Sequence, residues 1–170
     1  NSKLMIPIAK PYLTADEAQA AYDTILTGWI TQGPRVAEFE EKFAAYTGAK
    51  YAVAVSNCTT ALHLAMIVAG VGPGDEVICP SMSYIATANS VKYVGAIPVF
   101  AEVNPANYNL DINDTARKIT SKTKAILLVH QIGMPADIDA FKELAAKHNL
   151  KLIEDAACAA GSSYKGGKIG

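Results

Sequence analysis

Two amphipathic helical patterns occupy the first fifty residues of the chain. Thr14 has the side chain of a helix N-cap and is followed three positions later by Glu17, which is the spacing of a capping box. Apolar residues then recur on one helical face as far as Gly28, and a second set recurs between a Gly-Pro pair and Gly48. The two sets are Ala18, Tyr22, Ile25 and Leu26, then Val36, Phe39, Phe43 and Tyr46. The pattern therefore predicts two helices that each carry one apolar face.

After residue 50, short apolar runs rich in β-branched residues alternate with helical patterns. The predicted strands are 51–55, 76–79, 97–101, 125–129 and 150–154, and the predicted helices between them are 59–68, 83–93, 113–119 and 138–148. This alternation is typical of βαβ units on a parallel sheet. Because the strands are mostly apolar, we expect both of their faces to be buried. The sequence therefore predicts an α/β fold with a mostly parallel central sheet and helices on both faces.

Composition excludes several classes of partner. The chain has 170 residues, 51% of them hydrophobic, and a net charge of -1, with no run of Lys or Arg to attract nucleic acid or an anionic membrane. No apolar stretch approaches the roughly 20 residues of a membrane helix, and the N-terminus lacks a signal pattern, so we expect a soluble cytoplasmic protein. The three cysteines are widely spaced and have no His at metal-ligand spacing, so we expect free thiols and no metal site.

A glycine-rich stretch, YKGGKIG, ends the chain after the last predicted strand. Units of α/β structure usually cover both faces of a sheet with helices, and no predicted helix follows this strand. We therefore expect this chain to be the front portion of a larger domain, with a short final loop as the alternative.

Ligands of open α/β sheets bind beyond the carboxyl ends of the strands, so the residues that follow each predicted strand are the candidates for chemistry. The first strand is followed by SNCTTALH at 56–63, whose backbone N–H groups and hydroxyls at a helix start suit a phosphate. An ordinary helix cap is the alternative. The second strand is followed by Tyr84, which could stack on a planar ring or simply pack.

Titratable side chains lie at the carboxyl ends of the fourth and fifth predicted strands. His130 could reach into the cleft or serve as a hydrogen-bonded structural residue. Glu154 and Asp155 are adjacent, and only one of them should face the cleft because side chains alternate along a strand. Such a carboxylate could hold the protonated ring nitrogen of a pyridoxal cofactor. A Mg²⁺ ligand or a structural salt bridge is the alternative.

Together and in this order, these turns resemble the sugar aminotransferases of the DegT/DnrJ/EryC1/StrS family, which are pyridoxal-phosphate enzymes of fold type I. The resemblance runs from about Ile6 to Gly170. Its segments are GW at 28–29, GP at 33–34, SNCTTALHLA at 56–65, GPGDEV at 72–77, PSMSYIATAN at 80–89 and EDAA at 154–157. It implies that residues 1–170 are the N-terminal helices and the front portion of the cofactor-binding large domain, without the remainder of that domain or the C-terminal small domain.

Carried over to the matching positions, the resemblance implies pyridoxal 5'-phosphate as the cofactor. Cys58 and Thr59 stand where family members hold the phosphate by backbone N–H and hydroxyl groups, and the Cys58 thiol is expected only to pack. Tyr84 matches the aromatic residue that stacks on the pyridine ring, and Asp155 matches the catalytic carboxylate on the ring nitrogen. Cys158 stands where Gln or His commonly contacts the phenolic oxygen of the cofactor. Since a thiol is a weak donor, a water or another residue would take over that contact, or the position is packed.

The resemblance also implies a substrate segment and a homodimer whose sites are completed across the interface. Trp29 and Thr31 match a segment that lines the sugar-nucleotide site in relatives, although a Trp also commonly packs in a core. Family aminotransferases hold the cofactor on a Lys well downstream of the matching Asp, outside this chain. Lys165 and Lys168 are too close to Asp155 for that role.

The activity that the resemblance implies is transfer of an amino group, expected from glutamate, to a keto group of a nucleotide-linked deoxysugar, for surface polysaccharides or natural-product sugars. One alternative is a dehydratase of the same fold and cofactor, which has His in place of the Lys. Another is a non-catalytic regulatory member. A nucleotide-binding module with Asp155 on Mg²⁺ is disfavoured because neither G-x-x-x-x-G-K-[ST] nor G-x-G-x-x-G is present.

Overall fold

A four-stranded parallel sheet forms the centre of the protein in the computed structural model, which describes residues 10–170. The strands are β1 (Glu76–Pro80), β2 (Ile97–Ala101), β3 (Thr123–Val129) and β4 (Lys151–Asp155), in the spatial order β2-β1-β3-β4. All three neighbouring pairs are parallel. The predicted α/β fold with a parallel sheet is confirmed, while the part of the resemblance before Lys10 lies outside the described residues.

Helices cover both faces of this sheet. The helices are α1 (Ala15–Leu26), α2 (Pro34–Thr47), α3 (Cys58–Val68), α4 (Ala86–Tyr93), α5 (Ile112–Arg117) and α6 (Ile138–His148), with a 3₁₀ turn at Gln131–Gly133. Leu62 and Met66 of α3 and Val91 of α4 pack against one face of the sheet. Phe141 of α6 and Ile112 of α5 pack against the other face.

The central strands supply residues to two separate cores because their side chains alternate. Val77 and Cys79 of β1 belong to the α3–α4 side, whereas Ile78 between them belongs to the α5–α6 side. The same alternation runs along β3. Burial on both faces is therefore confirmed for β1 and β3. The expectation is wrong for β2, where Ile97 and Phe100 are about half exposed because β2 lies at the edge of the sheet.

Local end signals define the two N-terminal helices. Thr14 and Glu17 form the predicted capping box at the start of α1, and Gly48 ends α2 in the left-handed conformation with φ +77°. Neither helix contains a buried residue. The predicted apolar faces exist, but no core in the described part of the chain covers them.

The predicted strand at 51–55 is wrong for this structure. These residues pair with no strand within the described range 10–170. The Ala54 N–H donates at 2.8 Å to the Glu40 carboxylate of α2, a side-chain acceptor where a strand would use a neighbouring carbonyl. Tyr51 and Val53, whose apolar character suggested a strand, are 75% and 76% exposed. A β-strand requires a hydrogen-bonding partner, which the sequence pattern of one segment cannot supply.

Several element boundaries also differ from the sequence prediction; α3, β1, β3 and β4 differ by one or two residues at an end. Helix α4 begins at Ala86, three residues after the predicted start, because Ser83 instead bonds the Thr87 hydroxyl at 2.7 Å. Helix α5 begins one residue earlier and ends two residues earlier than predicted, after an Asp111 N-cap that accepts from the Asp114 N–H. The glycine-rich end forms a hairpin, with strands β5 (Ser163–Tyr164) and β6 (Gly167–Lys168). Lys165 and Gly166 both have positive φ in its turn, as a type I′ hairpin requires.

Within residues 10–170, no helix has both the length and the apolar composition needed to cross a membrane.

Candidate functional site

One cleft gathers five of the residues singled out from the sequence. It lies where the start of α3 meets the carboxyl ends of the central strands, and its volume is about 320 Å³. Cys58, Thr59, Tyr84, Asp155 and Cys158 all line it. These residues are spread over 101 positions of the sequence, from 58 to 158, and the parallel topology brings them together.

The start of α3 presents free donors to this cleft. Asn57 caps the helix by accepting a hydrogen bond from the Thr60 N–H at 2.9 Å. The N–H groups of Cys58 and Thr59 have no acceptor in the described part of the chain, and the Thr59 hydroxyl has no partner there either. The positive end of the helix dipole adds to these donors. Two open N–H groups and a hydroxyl make this end of the cleft suitable for a phosphate.

Tyr84 lies between the end of β1 and the start of α4, and its side chain is largely exposed. Its backbone carbonyl accepts from the Thr87 N–H at 3.1 Å, which holds the turn that carries it. The ring therefore borders the cleft as a surface aromatic residue, and the alternative that it packs in the core is wrong for this structure.

Asp155 is the last residue of β4 and is 8% exposed. Its Oδ1 accepts a hydrogen bond from the Ala157 N–H at 3.0 Å and lies 3.6 Å from the Cys58 Sγ. Its Oδ2 receives no donor from residues 10–170. The carboxylate is thus fixed through one oxygen and keeps the other for a ligand in the cleft.

Glu154 points to the other side of β4, as strand alternation predicts. It accepts at 3.1 Å from Nε2 of His130, which is fully buried. Nδ1 of His130 accepts from the Ala136 N–H at 3.1 Å, so the ring proton is on Nε2. This hydrogen bond lowers the pKa of Glu154, although burial opposes the shift. Of the two alternatives for His130, the structural one is confirmed, and the expectation that it could reach into the cleft is wrong.

Cys158 has an exposed side chain, and its thiol has no hydrogen-bond partner among the residues described. It lines the cleft beyond Asp155. The structure therefore leaves Cys158 as an unengaged thiol at the border of the site.

Trp29 and Thr31 lie in a different pocket of about 500 Å³, between the end of α1 and the start of α2. Nε1 of Trp29 donates to the Gln32 carbonyl at 2.7 Å. The ring covers Gly33, where an added Cβ would lie 2.2 Å from Nε1. Trp29 is 57% exposed, so the alternative of a core tryptophan is wrong for this structure. Residues 10–170 do not join this pocket to the cleft.

Sequence reasoning missed some residues of the cleft. Leu62 and Val129 supply apolar lining, and Gln131 lines the cleft while its Nε2 donates to the Met82 carbonyl. The signal for Gln131 was its place two residues after the end of β3, next to His130. Residue type alone does not show whether His130 or Gln131 faces the cleft, because the path of the backbone after β3 decides it.

The side chains present fit a phosphorylated pyridine ring better than a metal ion. In the described range, no group of three or more His, Cys, Asp or Glu side chains is arranged to hold a metal. The cleft has open N–H donors at one end, an aromatic ring at its border and a carboxylate with one uncommitted oxygen. A protonated pyridine nitrogen is a suitable partner for such a carboxylate.

Comparison with protein families supports the same conclusion. The family model described as the DegT/DnrJ/EryC1/StrS aminotransferase family matches residues 11–170. The chain belongs to this family. As a member of the DegT/DnrJ/EryC1/StrS family, it is 48% identical over 166 residues to the GDP-perosamine synthase of Caulobacter vibrioides, covering 97% of this chain and 45% of that protein. It is 41% identical over 169 residues to the UDP-4-amino-4-deoxy-L-arabinose–oxoglutarate aminotransferase of Shewanella sediminis, covering 99% of this chain and 44% of that protein.

Solved structures of family members share the fold. A candidate sugar aminotransferase of Streptococcus pneumoniae, in its PMP form, superposes with a TM-score of 0.94 at 34% identity, covering 98% of this chain and 45% of that one. The same Streptococcus pneumoniae protein has also been solved in its PLP form. The chain therefore spans less than half the length of the relatives that it matches.

Proposed function

We propose that this chain is the front portion of a nucleotide-sugar aminotransferase and supplies the phosphate-binding and ring-binding half of its pyridoxal-phosphate site. The observation that carries the proposal is the convergence of Cys58, Thr59, Tyr84 and Asp155 on one cleft. Family membership supports the reaction class. The proposed domain division, with the rest of the large domain and a small domain outside residues 1–170, is supported by the relatives' greater length.

The free N–H groups of Cys58 and Thr59 and the Thr59 hydroxyl are our candidates to bind the cofactor phosphate. The N–H donors are fixed by the first turn of α3, so they need no rearrangement to receive an anion. Binding through backbone donors explains how a cysteine can occupy the first position, since its side chain is not the phosphate ligand.

Tyr84 and Asp155 would orient the ring. The face of Tyr84 offers a stacking surface at the border of the cleft, and Oδ2 of Asp155 offers a negative partner for the ring N–H. When bound, pyridoxal phosphate supplies an electron sink for the carbon that gains or loses the amino group. Asp155 would hold the proton on the ring nitrogen, and this makes it the catalytic residue that we assign within residues 10–170. Cys158 stays a candidate for contact with the phenolic oxygen.

The proposed substrates are inferred from the names of the relatives, which contain nucleotide-linked sugars and oxoglutarate. A nucleotide-linked sugar would be the amino acceptor and glutamate the donor, for use in polysaccharide or natural-product sugars, with the reaction in the cytoplasm. We propose Trp29 and Thr31 for contact with the nucleotide sugar, in the pocket between α1 and α2. The separation of that pocket from the cleft, and the exposed apolar faces of α1 and α2, support a homodimer in which two subunits complete each site.

Borohydride reduction of the full-length protein with bound pyridoxal phosphate, followed by peptide mass mapping, tests this function. A phosphopyridoxyl group fixed to a lysine outside residues 1–170 is the expected result. A protein that binds the cofactor without any fixed lysine would favour the dehydratase of the same fold. A protein that neither binds nor fixes the cofactor would contradict the proposal and leave the regulatory alternative.

A further inference from the structure

The Asp155 carboxylate is held by two donors from different parts of the fold. The Ala157 N–H follows β4 and reaches Oδ1 at 3.0 Å, and the Cys58 Sγ at the start of α3 lies 3.6 Å from the same oxygen. Both donors therefore act on one oxygen, and Asp155 is otherwise buried. A carboxylate held on one oxygen from two directions cannot rotate freely about its last torsion.

We propose that the Cys58 thiol is a positioning group for Asp155, donating its S–H to Oδ1 so that Oδ2 is the oxygen presented to the cleft. The importance of this contact for catalysis rests on the proposed function, because Oδ2 is then the atom that would meet the ring nitrogen. The inference gives the Cys58 side chain a role beyond packing. Cys58 would then contact both ends of the cleft, with its N–H toward the cofactor phosphate and its S–H toward Oδ1 of Asp155.

A thiol can donate in this way only while it is protonated. The start of a helix usually lowers a thiol pKa. Here, partial burial and then the neighbouring Asp155 charge raise the pKa of Cys58 to about 11, and the nearby Cys158 acts in the same direction. The Cys58 thiol is therefore a proton donor at neutral pH, which is the state that the contact requires.

Alkylation of the full-length protein by iodoacetamide, without cofactor, tests the contact. Peptide-resolved mass spectrometry follows Cys58 separately from Cys158, and buried Cys79 reports any opening of the fold. Replacing Asp155→Asn removes the neighbouring charge, so Cys58 alkylation at pH 9 should accelerate by about three- to tenfold, since one pKa unit changes the thiolate fraction about tenfold. An unchanged Cys58 rate, with Cys79 still protected, would overturn the proposal.

Two substitutions of Cys58 then test positioning. In Cys58→Ala the donor is lost, and the dissociation constant of pyridoxal phosphate should rise by about three- to tenfold, the usual worth of one hydrogen bond. In Cys58→Ser the hydroxyl restores a donor, and the constant should stay within about twofold of the native value. The pH dependence of the absorbance of the bound cofactor should change in Cys58→Ala and should stay as in the native protein in Cys58→Ser. Equal behaviour of the two variants would overturn the positioning role.

If the native protein fails to bind the cofactor, the proposed function fails, and the alkylation result still decides the contact.

Discussion

The central sheet and the two N-terminal helices are held in shape by different means. Strands β1 and β3 are almost entirely buried, and their residues divide between two cores. Helices α1 and α2 bury no residue and depend on end signals such as the Thr14 capping box. An apolar helical stripe therefore identifies a helix without identifying what covers it. In our proposal, the stripes of α1 and α2 are covered by the remainder of the protein and by a second subunit.

Truncation of an apolar side chain in each region gives the largest contrast. In the 170-residue chain, Leu127→Ala in β3 removes a side chain with 0% exposure and should lower the free energy of unfolding by about 2–5 kcal/mol. Phe39→Ala in α2 removes a 55% exposed ring and should cost less than about 1 kcal/mol. Urea unfolding measures both. In the full-length protein the cost of Phe39→Ala should rise. Equal costs of the two substitutions in the 170-residue chain would show that α2 is packed as tightly as β3.

Substitutions of the adjacent residues Asp155 and Glu154 test which face of the sheet carries the chemistry. If the full-length protein has the proposed activity, Asp155→Asn should reduce its turnover by about 100-fold or more, close to 3 kcal/mol of transition-state stabilisation, because the amide cannot hold the ring proton. Glu154→Gln is the matched control on the opposite side of β4, and its turnover should fall far less. Steady-state kinetics with a nucleotide sugar measures both. Near-native turnover in Asp155→Asn would remove this residue from the catalytic role.

The hydrogen bond between half-buried Glu154 and buried His130 predicts a pH-dependent part of the stability of the sheet. Because the hydrogen bond from His130 lowers the pKa of Glu154 in the folded chain, this carboxylate stabilises the fold above its unfolded value of about 4.5. That contribution is lost as the pH falls through the folded value. Urea unfolding at pH 6 and pH 3 measures how far the free energy of unfolding falls between these two pH values. This fall should be smaller in Glu154→Gln than in the native protein by about 1 kcal/mol. The same pH dependence in both proteins would show that the pair contributes nothing.

Tyr84 tests the border of the cleft. Tyr84→Ala should weaken retention of pyridoxal phosphate by roughly 1 kcal/mol, the scale of an aromatic stacking pair, while Tyr84→Phe should retain it. Equilibrium dialysis measures the affinity. If alanine and phenylalanine bind the cofactor equally well, the ring of Tyr84 does not stack on it.

A capping substitution gives the smallest effect and tests the N-terminal helices alone. Thr14→Ala removes the side chain that accepts from the Asp16 N–H and should destabilise α1 by about 0.5–1 kcal/mol. Hydrogen exchange should accelerate in the first turn of α1 and stay unchanged in β3. Faster exchange in β3 would contradict the separation of the two regions.

Sequence patterns predicted most elements because their signals are local or periodic. The bounds of β2 and α6 agree with the predictions, and the capping box of α1 forms as expected. The prediction of a strand at 51–55 was wrong because strand pairing requires a hydrogen-bonding partner elsewhere in the fold. In the site, the resemblance singled out Asp155 and Tyr84, whereas alternation along the strand left Glu154 and Asp155 undecided. No sequence pattern predicted the contact between Cys58 and Asp155. Those features depend on which face of a strand points at which helix.

A crystal structure of the full-length protein with pyridoxal phosphate would show whether the cofactor binds in the cleft at the start of α3. We expect the phosphate to accept hydrogen bonds from the N–H groups of Cys58 and Thr59, with the ring nitrogen at Oδ2 of Asp155 and the ring against Tyr84. A cofactor bound elsewhere, or bound in this cleft with its phosphate away from the start of α3, would contradict the proposed cofactor site.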